Sequence, residues 1–113
     1  MLSKEKLDIL LAYLDDIDNR CEDILGKSLN QQDKILASLL SFIEETWELN
    51  EEIKSKLWLA FNKQKRENYS EENLKEECFD VFVTYLMLLK SLGVESLDDV
   101  IEKKIEKNNK RGY

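Results

Sequence analysis

Apolar residues recur at intervals of three and four along most of this chain, which is the spacing of one face of an α-helix. The first such segment begins after a Ser3 cap and runs to about Leu25, where Gly26 can take the left-handed conformation that ends many helices. A second segment begins near Asn30, and its apolar pattern continues, with a bend, past position 56. The apolar residues of that extension are Leu57, Trp58 and Phe61.

Two more helices are predicted in the second half of the chain. The third begins at a Ser70 cap and reaches about Leu92, and the fourth begins at a Ser96 cap and reaches about Asn109. Four amphipathic helices joined by short connections are typical of a helical bundle. We therefore expect one all-α, four-helix bundle-like domain over residues 1–113, with enough apolar surface to associate into oligomers.

The composition agrees with a helical domain and limits the classes of partner that the domain can bind. The chain has no proline, no histidine and a formal net charge of −7, so nucleic acids and anionic membranes are disfavoured as partners and a zinc site is not expected. No apolar run is long enough to cross a membrane, and no signal-peptide pattern opens the chain. Cys21 and Cys78 are interpreted as reduced core residues of a cytoplasmic protein.

Two pairs of acids form the main candidate for chemistry. Glu45 and Glu48 are three residues apart, as are Glu77 and Asp80, so each pair projects from one face of its helix. None of the four has a Lys or Arg three or four residues away. Asp80 also opens a strongly apolar run, where burying an uncompensated polar group costs about 2–7 kcal/mol. Opposed packing of the two helices would gather the acids around a hard cation, Mg²⁺ or Mn²⁺.

The alternative interpretation of these acids is a solvated helix surface, because 36% of the residues are charged. Glu52 falls within about 60° of Glu45 and Glu48 around the helix axis, yet we assign it to such a solvated surface. Glu44 and Glu51 lie further round, towards solvent. Spacing alone does not decide between the two interpretations.

Three blocks, in this order, resemble the MazG-type all-α nucleoside triphosphate pyrophosphohydrolases. Residues 44–48 read EETWE, as in the family's EExxE motif, and residues 77–80 read ECFD, as in its ExxD motif. Residues 104–111 read KIEKNNKR, which is similar to the family's KxxKNxxR tail. The resemblance covers residues 31–113 and leaves residues 1–29 as an additional N-terminal helix.

The resemblance implies a Mg²⁺-dependent enzyme, with Mn²⁺ as the substitute, that cleaves nucleoside triphosphates to monophosphates and pyrophosphate as a homodimer or homotetramer. It implies that Glu45, Glu48, Glu77 and Asp80 are the metal ligands. Glu44 or Glu48 would be the carboxylate that accepts a proton from the attacking water. Phosphate contacts would come from the tail residues Lys104, Lys107, Asn108 and Arg111, whose alternative interpretation is a solvated helix end with cations that suit the helix dipole.

Trp47 departs from the family pattern, which commonly has a small residue at this position. Its indole could stack on the substrate base, narrow the nucleotide pocket or fill core space, and core filling is our expectation. The competing hypothesis for the whole chain is a non-catalytic helical oligomerisation and interaction module. That hypothesis rests on an aromatic surface larger than one monomer can bury, made of Trp47, Trp58, Phe61, Tyr69 and Phe79.

Overall fold

The structure, a computed structural model, describes residues 2–59 and 63–112. These residues form four long helices and one short helix, with no strand among them, so the all-α prediction is confirmed. In chain order the helices are α1 (Lys4–Leu25), α2 (Gln31–Lys56), α3 (Lys63–Glu67), α4 (Glu71–Ser91) and α5 (Leu97–Lys110).

The predicted caps Ser3, Ser70 and Ser96 begin α1, α4 and α5, and Asn30, where the second helix was expected to begin, caps α2. Oxygens of Ser3, Asn30, Ser70 and Ser96 accept hydrogen bonds from first-turn backbone amides at 2.8–3.3 Å. Each cap satisfies an amide that would otherwise lack a partner at the helix start. Gly26 ends α1 with φ +66°, the left-handed conformation expected of it.

The end of α2 differs from its prediction. The helix stops at Lys56, and Trp58 takes a left-handed backbone conformation with φ 59°. Leu59 N then donates to Lys54 O at 2.8 Å, which closes the last turn in the manner of a helix terminus. The expected continuation through Leu57 and Trp58 is therefore wrong, and Phe61 lies outside the described residues. The polar stretch beyond it contains the short helix α3.

Helices α2 and α4 pack against each other along their lengths and run in opposite directions. Antiparallel packing places the centre of α2 opposite the centre of α4. Three contacts mark the register: Gln31 Nε2 with Ser91 O at 3.5 Å, the Phe42 and Tyr85 rings with centroids 6.3 Å apart, and Lys56 Nζ with Glu71 Oε1 at 3.1 Å. The buried Ser38 and Thr84 add little volume between the helices.

Helix α1 packs its buried apolar residues against α4, and Glu22 of α1 pairs with Lys34 of α2 at 3.7 Å. Leu10 and Leu14 of α1 and Val83 of α4 are buried together as an apolar cluster. Lys90 Nζ adds ion pairs to Asp15 at 2.6 Å and to Asp18 at 2.9 Å. None of the described helices combines the length and the apolarity that crossing a lipid bilayer requires.

Both cysteines are free, but both are exposed, so the expectation that they are core residues is wrong. Cys21 lies on α1 beyond Ile17, which is the last residue of that helix that packs against the apolar cluster. Cys78 follows Glu77 directly on α4 and therefore points about 100° away from it around the helix.

Candidate metal centre

The facing surfaces of α2 and α4 bring together three of the four carboxylates predicted as ligands. Glu45, Glu48 and Glu77 each place one oxygen within 4.8 Å of the other two. Glu45 and Glu48 occupy one face of α2 because they are three residues apart, and the antiparallel register brings Glu77 across from them.

Asp80, the fourth predicted ligand, is exposed and lies outside this group of three. It is close enough to act through its charge, since it contributes to raising the pKa of both Glu45 and Glu77. Asp80 therefore stands at the solvent side of the cluster, one helical turn from Glu77.

The cluster is electrostatically crowded. Partial burial, followed by the charge of Glu48 and a hydrogen bond to it, raises the pKa of Glu45 from 4.5 to about 7. Partial burial and the same Glu48 carboxylate also raise the pKa of Glu77. Among the described residues, no Lys or Arg forms an ion pair with Glu45, Glu48 or Glu77. The anionic form of the cluster thus lacks a protein counter-charge in this part of the chain.

One oxygen of Glu45 and one of Glu77 have no hydrogen-bond partner among the described residues. These atoms, Oε2 of Glu45 and Oε2 of Glu77, are also inaccessible to solvent. Buried acceptors without a donor are unusual and destabilise a fold by about 1–3 kcal/mol each. Unpartnered acceptors in an uncompensated anionic group are what a bound cation would satisfy.

The donor set fits a hard divalent ion. All candidate ligand atoms are carboxylate oxygens, which Mg²⁺ and Mn²⁺ prefer over softer ligands. An octahedral Mg²⁺ with ligands at about 2.1 Å holds its oxygens about 3 to 4 Å apart. The three oxygens already lie within 4.8 Å of one another, so small side-chain rotations suffice to reach that spacing.

Glu52 is a residue that sequence reasoning assigned wrongly. It is half-buried, its Oε2 is inaccessible and unpartnered, and its charge helps to raise the pKa of Glu77. The assignment to a solvated surface is therefore wrong, and Glu52 lies beside the cluster. Its position four residues after Glu48 was the signal, because that spacing places both on one face of α2.

A hydrogen-bonded group lies near Glu52, whose charge contributes to raising the pKa of Tyr69. Tyr69 Oη donates to Glu71 Oε2, and Lys56 Nζ donates to Glu71 Oε1 at 3.1 Å. The bond to Glu71 is the main cause that raises the pKa of Tyr69 to about 12, and the same bond lowers the pKa of Glu71. Lys56 is thereby paired with Glu71 and does not neutralise the cluster.

Glu44 and Trp47 lie on α2 outside the group of three. Glu44 is exposed. The Trp47 indole is 63% exposed, and Lys54 Nζ lies 5.7 Å from its ring centroid. The expectation that Trp47 fills core space is therefore wrong within a single chain, which leaves its other two roles open.

The predicted phosphate-binding tail lies on α5 and at its end. Lys104, Lys107 and Arg111 are exposed, and none forms an ion pair with the carboxylates of the cluster. Asn108 is half-buried, and its Oδ1 is inaccessible and unpartnered. Among the described helices the main packing is between α2 and α4, and α5 does not take part in it.

Comparison with protein families gives one match. The model of the MazG nucleotide pyrophosphohydrolase domain matches residues 33–112. This range contains the carboxylates of the cluster and the tail, and it leaves α1 outside. Comparisons with curated proteins and with solved structures found no match to the chain.

Proposed function

The chain belongs to the MazG nucleotide pyrophosphohydrolase family, and on that basis we propose that it hydrolyses nucleoside triphosphates between the α- and β-phosphates. The products are a nucleoside monophosphate and pyrophosphate. The observation that carries the proposal is the convergence of Glu45, Glu48 and Glu77, with two inaccessible, unpartnered oxygens, inside the matched region.

In this proposal Glu45, Glu48 and Glu77, with Asp80 at the solvent side, hold Mg²⁺, and Mn²⁺ can replace it. The bound ion supplies charge neutralisation for the triphosphate and activation of a water molecule. Support for these ligands comes from their oxygen chemistry and from the absence of a competing Lys or Arg at Glu45, Glu48 and Glu77 within the described residues.

The chain's own carboxylates take the proton. Water attacks the α-phosphorus, and the bond from this phosphorus to the oxygen that bridges to the β-phosphate breaks. That oxygen leaves with its electron pair as part of pyrophosphate. Glu48 is favoured as the proton acceptor, because it is the exposed member of the three and can reach a solvent water. Glu44, which is exposed and directly precedes Glu45 on α2, is the second candidate.

Binding of an anionic substrate to a chain of net charge −7 needs local positive charge. We propose that the tail provides it, with Asn108 adding a polar contact, and that Trp47 stacks on the nucleobase. The exposed indole supports that role, since a stacking platform must be open to the ligand. The tail residues concerned are Lys104, Lys107, Asn108 and Arg111.

We further propose that the enzyme works in the cytoplasm as a homodimer or homotetramer. The support for association is the number of large apolar side chains that a single chain leaves exposed, including Trp47, Phe79 and Ile105.

The test is a measurement of pyrophosphate release from purified protein, Mg²⁺ and a panel of ribo- and deoxynucleoside triphosphates with normal and modified bases. At least one member of the panel should give pyrophosphate and monophosphate in equal amounts. Glu48→Gln should lose this activity and keep the wild-type circular dichroism, while the exposed control Glu76→Gln should keep both. No release from any nucleotide at high protein concentration would reject the proposed reaction.

The same exposed apolar surface favours a second candidate, a non-catalytic helical interaction module on the same scaffold. The two candidates differ in their response to ligand. An enzyme that binds Mg²⁺ and nucleotide in its folded state must unfold at a higher temperature when both are present. A module without the site should unfold at an unchanged temperature.

A further inference from the structure

Lys56 is the last residue of α2 and lies on the face of that helix that carries the carboxylate cluster. At 100° per residue, Lys56 is about 20° from Glu45 and about 40° from Glu52 around the helix axis. It follows Glu52 by about 6 Å and Glu48 by about 12 Å along the axis, at 1.5 Å per residue. Long side chains on a helix lean towards its N-terminus, so the usual rotamers of Lys56 extend back towards the turn of Glu52.

The other two lysines of α2 are placed less well for contact with a ligand at the cluster. Lys54 is about 180° from Glu45 around the axis, on the opposite side of the helix. Lys34 shares the face of the cluster, but it precedes Glu45 by about 16 Å, and its Nζ pairs with Glu22 of α1 at 3.7 Å. Lys56 is therefore the lysine of α2 that is nearest to the cluster on the cluster's own face.

The ammonium group of Lys56 has donors to spare. Its Nζ donates to Glu71 Oε1 at 3.1 Å, and Tyr69 Oη donates to the other oxygen of that carboxylate. The side chains of Lys56 and Glu71 are 46% and 56% exposed. An ammonium group has three donors, and Glu71 is its one partner within the described ranges. Lys56 can therefore donate to a phosphate oxygen without first leaving Glu71.

The two ends of the cluster differ in charge. The turn of α2 before Glu45 contains Ser41 and Phe42, which are uncharged. The turn after Glu52 contains Lys56. A nucleoside triphosphate is likewise asymmetric, because its phosphates beyond the α-phosphorus carry most of its negative charge. Complementary charges fix the register of a bound partner, so the terminal phosphate is favoured at the Lys56 end.

We propose that Lys56 recognises the terminal phosphate of the substrate and makes the site select nucleoside triphosphates over nucleoside diphosphates. This inference rests on the proposed reaction at the cluster and names the residue that reads the length of the phosphate chain. With the α-phosphorus at the cluster, the β- and γ-phosphates extend along α2, past Glu52, towards Lys56. The lysine donates to an oxygen of the γ-phosphate, which leaves as part of pyrophosphate.

A cation is needed at this point because Glu52 lies between the cluster and Lys56. Glu52 Oε2 has no partner among the described residues and is inaccessible to solvent, so the γ-phosphate approaches a group of like charge. Lys56 offsets that repulsion from the same helix that carries Glu45 and Glu48. The predicted cations of the tail lie on α5 and at its end, and α5 takes no part in the main packing between α2 and α4.

Removal of the terminal phosphate and of the lysine, separately and together, tests the proposal. The ligands are the α,β-methylene analogues of the common deoxynucleoside triphosphates and of the corresponding diphosphates, which resist cleavage between the α- and β-phosphates. Their dissociation constants are measured by calorimetry with Mg²⁺ for the wild type, Lys56→Gln and the control Lys54→Gln. The control is matched, because the side chains of Lys54 and Lys56 are 43% and 46% exposed.

The wild type and Lys54→Gln should bind a triphosphate analogue at least about tenfold more tightly than the diphosphate analogue of the same base. A hydrogen bond between an ammonium group and a phosphate changes an equilibrium constant by about that factor or more. In Lys56→Gln the ratio should fall to about twofold or less, with diphosphate binding unchanged. Lys56→Arg keeps the charge and should keep a ratio above that of Lys56→Gln. A purely structural role would weaken both ligands equally and leave the ratio as it is.

Three results would overturn the role of Lys56: an unchanged ratio in Lys56→Gln, an equal fall in Lys54→Gln, or no binding of any triphosphate analogue to the wild type. The proposed reaction fails on a different result, which is the absence of pyrophosphate release. Pyrophosphate release together with an unchanged ratio would reject only the role of Lys56. A ratio that depends on Lys56, without pyrophosphate release, would reject only the proposed reaction.

Discussion

Glu48 on α2 and Glu77 on α4 place carboxylate oxygens within 4.8 Å of each other across the interface between their helices. Neither forms an ion pair with a basic side chain in the described residues. Two such groups can remain close when a proton is shared among them or when a cation neutralises them. Metal binding, protonation and stability of the fold are therefore linked at this point.

Replacing one carboxylate of the cluster should weaken the binding of Mg²⁺. Glu77→Gln removes a negative ligand, so the affinity for Mg²⁺ should fall at least about tenfold, as losses around metal sites commonly do. Titration of Mg²⁺ into the apo protein, followed by the unfolding temperature, measures the change. Glu76→Gln is the matched control, because Glu76 is the exposed neighbour of Glu77 on α4. Equal Mg²⁺ responses in the two variants would contradict a centre at Glu77.

The raised pKa of Glu45 should be visible in how the stability of the fold changes with pH. Its pKa in the folded protein is raised from 4.5 to about 7, chiefly by burial and then by Glu48. The stability that protonated Glu45 contributes is therefore fully present below about pH 4.5 and is lost as the pH rises through about 7. Gln mimics the protonated form and does not titrate.

Without metal, Glu45→Gln should accordingly unfold near the wild-type temperature at about pH 5 and at a higher temperature at about pH 8. Added Mg²⁺ competes with the proton, so its stabilising effect on the wild type should grow over the same interval. Thermal denaturation followed by circular dichroism measures both. If the difference in unfolding temperature between Glu45→Gln and the wild type became smaller as the pH rises, the raised pKa of Glu45 would be contradicted.

Substitution of Glu52 should impair Mg²⁺ binding or turnover more than substitution of Glu44. Glu52 has an inaccessible, unpartnered oxygen beside Glu77, whereas Glu44 is exposed. Glu52→Gln should therefore lower Mg²⁺ affinity or turnover more than Glu44→Gln does, by at least about threefold, if Glu48 is the proton acceptor. Pyrophosphate release and Mg²⁺-dependent unfolding measure the two effects. A larger loss in Glu44→Gln would instead identify Glu44 as the acceptor.

The sequence predicted those features that depend on neighbours along the chain. The caps at Ser3, Ser70 and Ser96 and the start of α2 at Asn30 lie where expected, because capping is a hydrogen bond to an amide two or three residues away. The spacing of Glu45 and Glu48 likewise predicted their common face. Such local geometry is fixed by the helix itself.

Features that depend on what packs against a helix were predicted less well. The helical position of Glu52 was recognised from its spacing. The burial of its side chain depends on α4 and on the segment around Tyr69, and a helical wheel of α2 contains neither. Trp47 and Cys78 were expected in the core and are exposed, because no described element covers their sides of α2 and α4. The left-handed Trp58 was missed because glycine or asparagine usually occupies such a helix end.

The attachment of α1 should depend on its buried leucine more than on its ion pairs. Leu14 is 3% exposed in the cluster with Val83, so Leu14→Ala should lower the free energy of unfolding by about 2–5 kcal/mol. Lys90 is 42% exposed in its side chain, and solvent screening should limit the loss in Lys90→Met to about 1 kcal/mol or less. Leu11→Ala, at a position 51% exposed, is the matched control and should lose about 0.5 kcal/mol or less. Urea denaturation measures the free energy of unfolding of all three variants. Equal losses for Leu14→Ala and Leu11→Ala would contradict the packing of α1 against Val83.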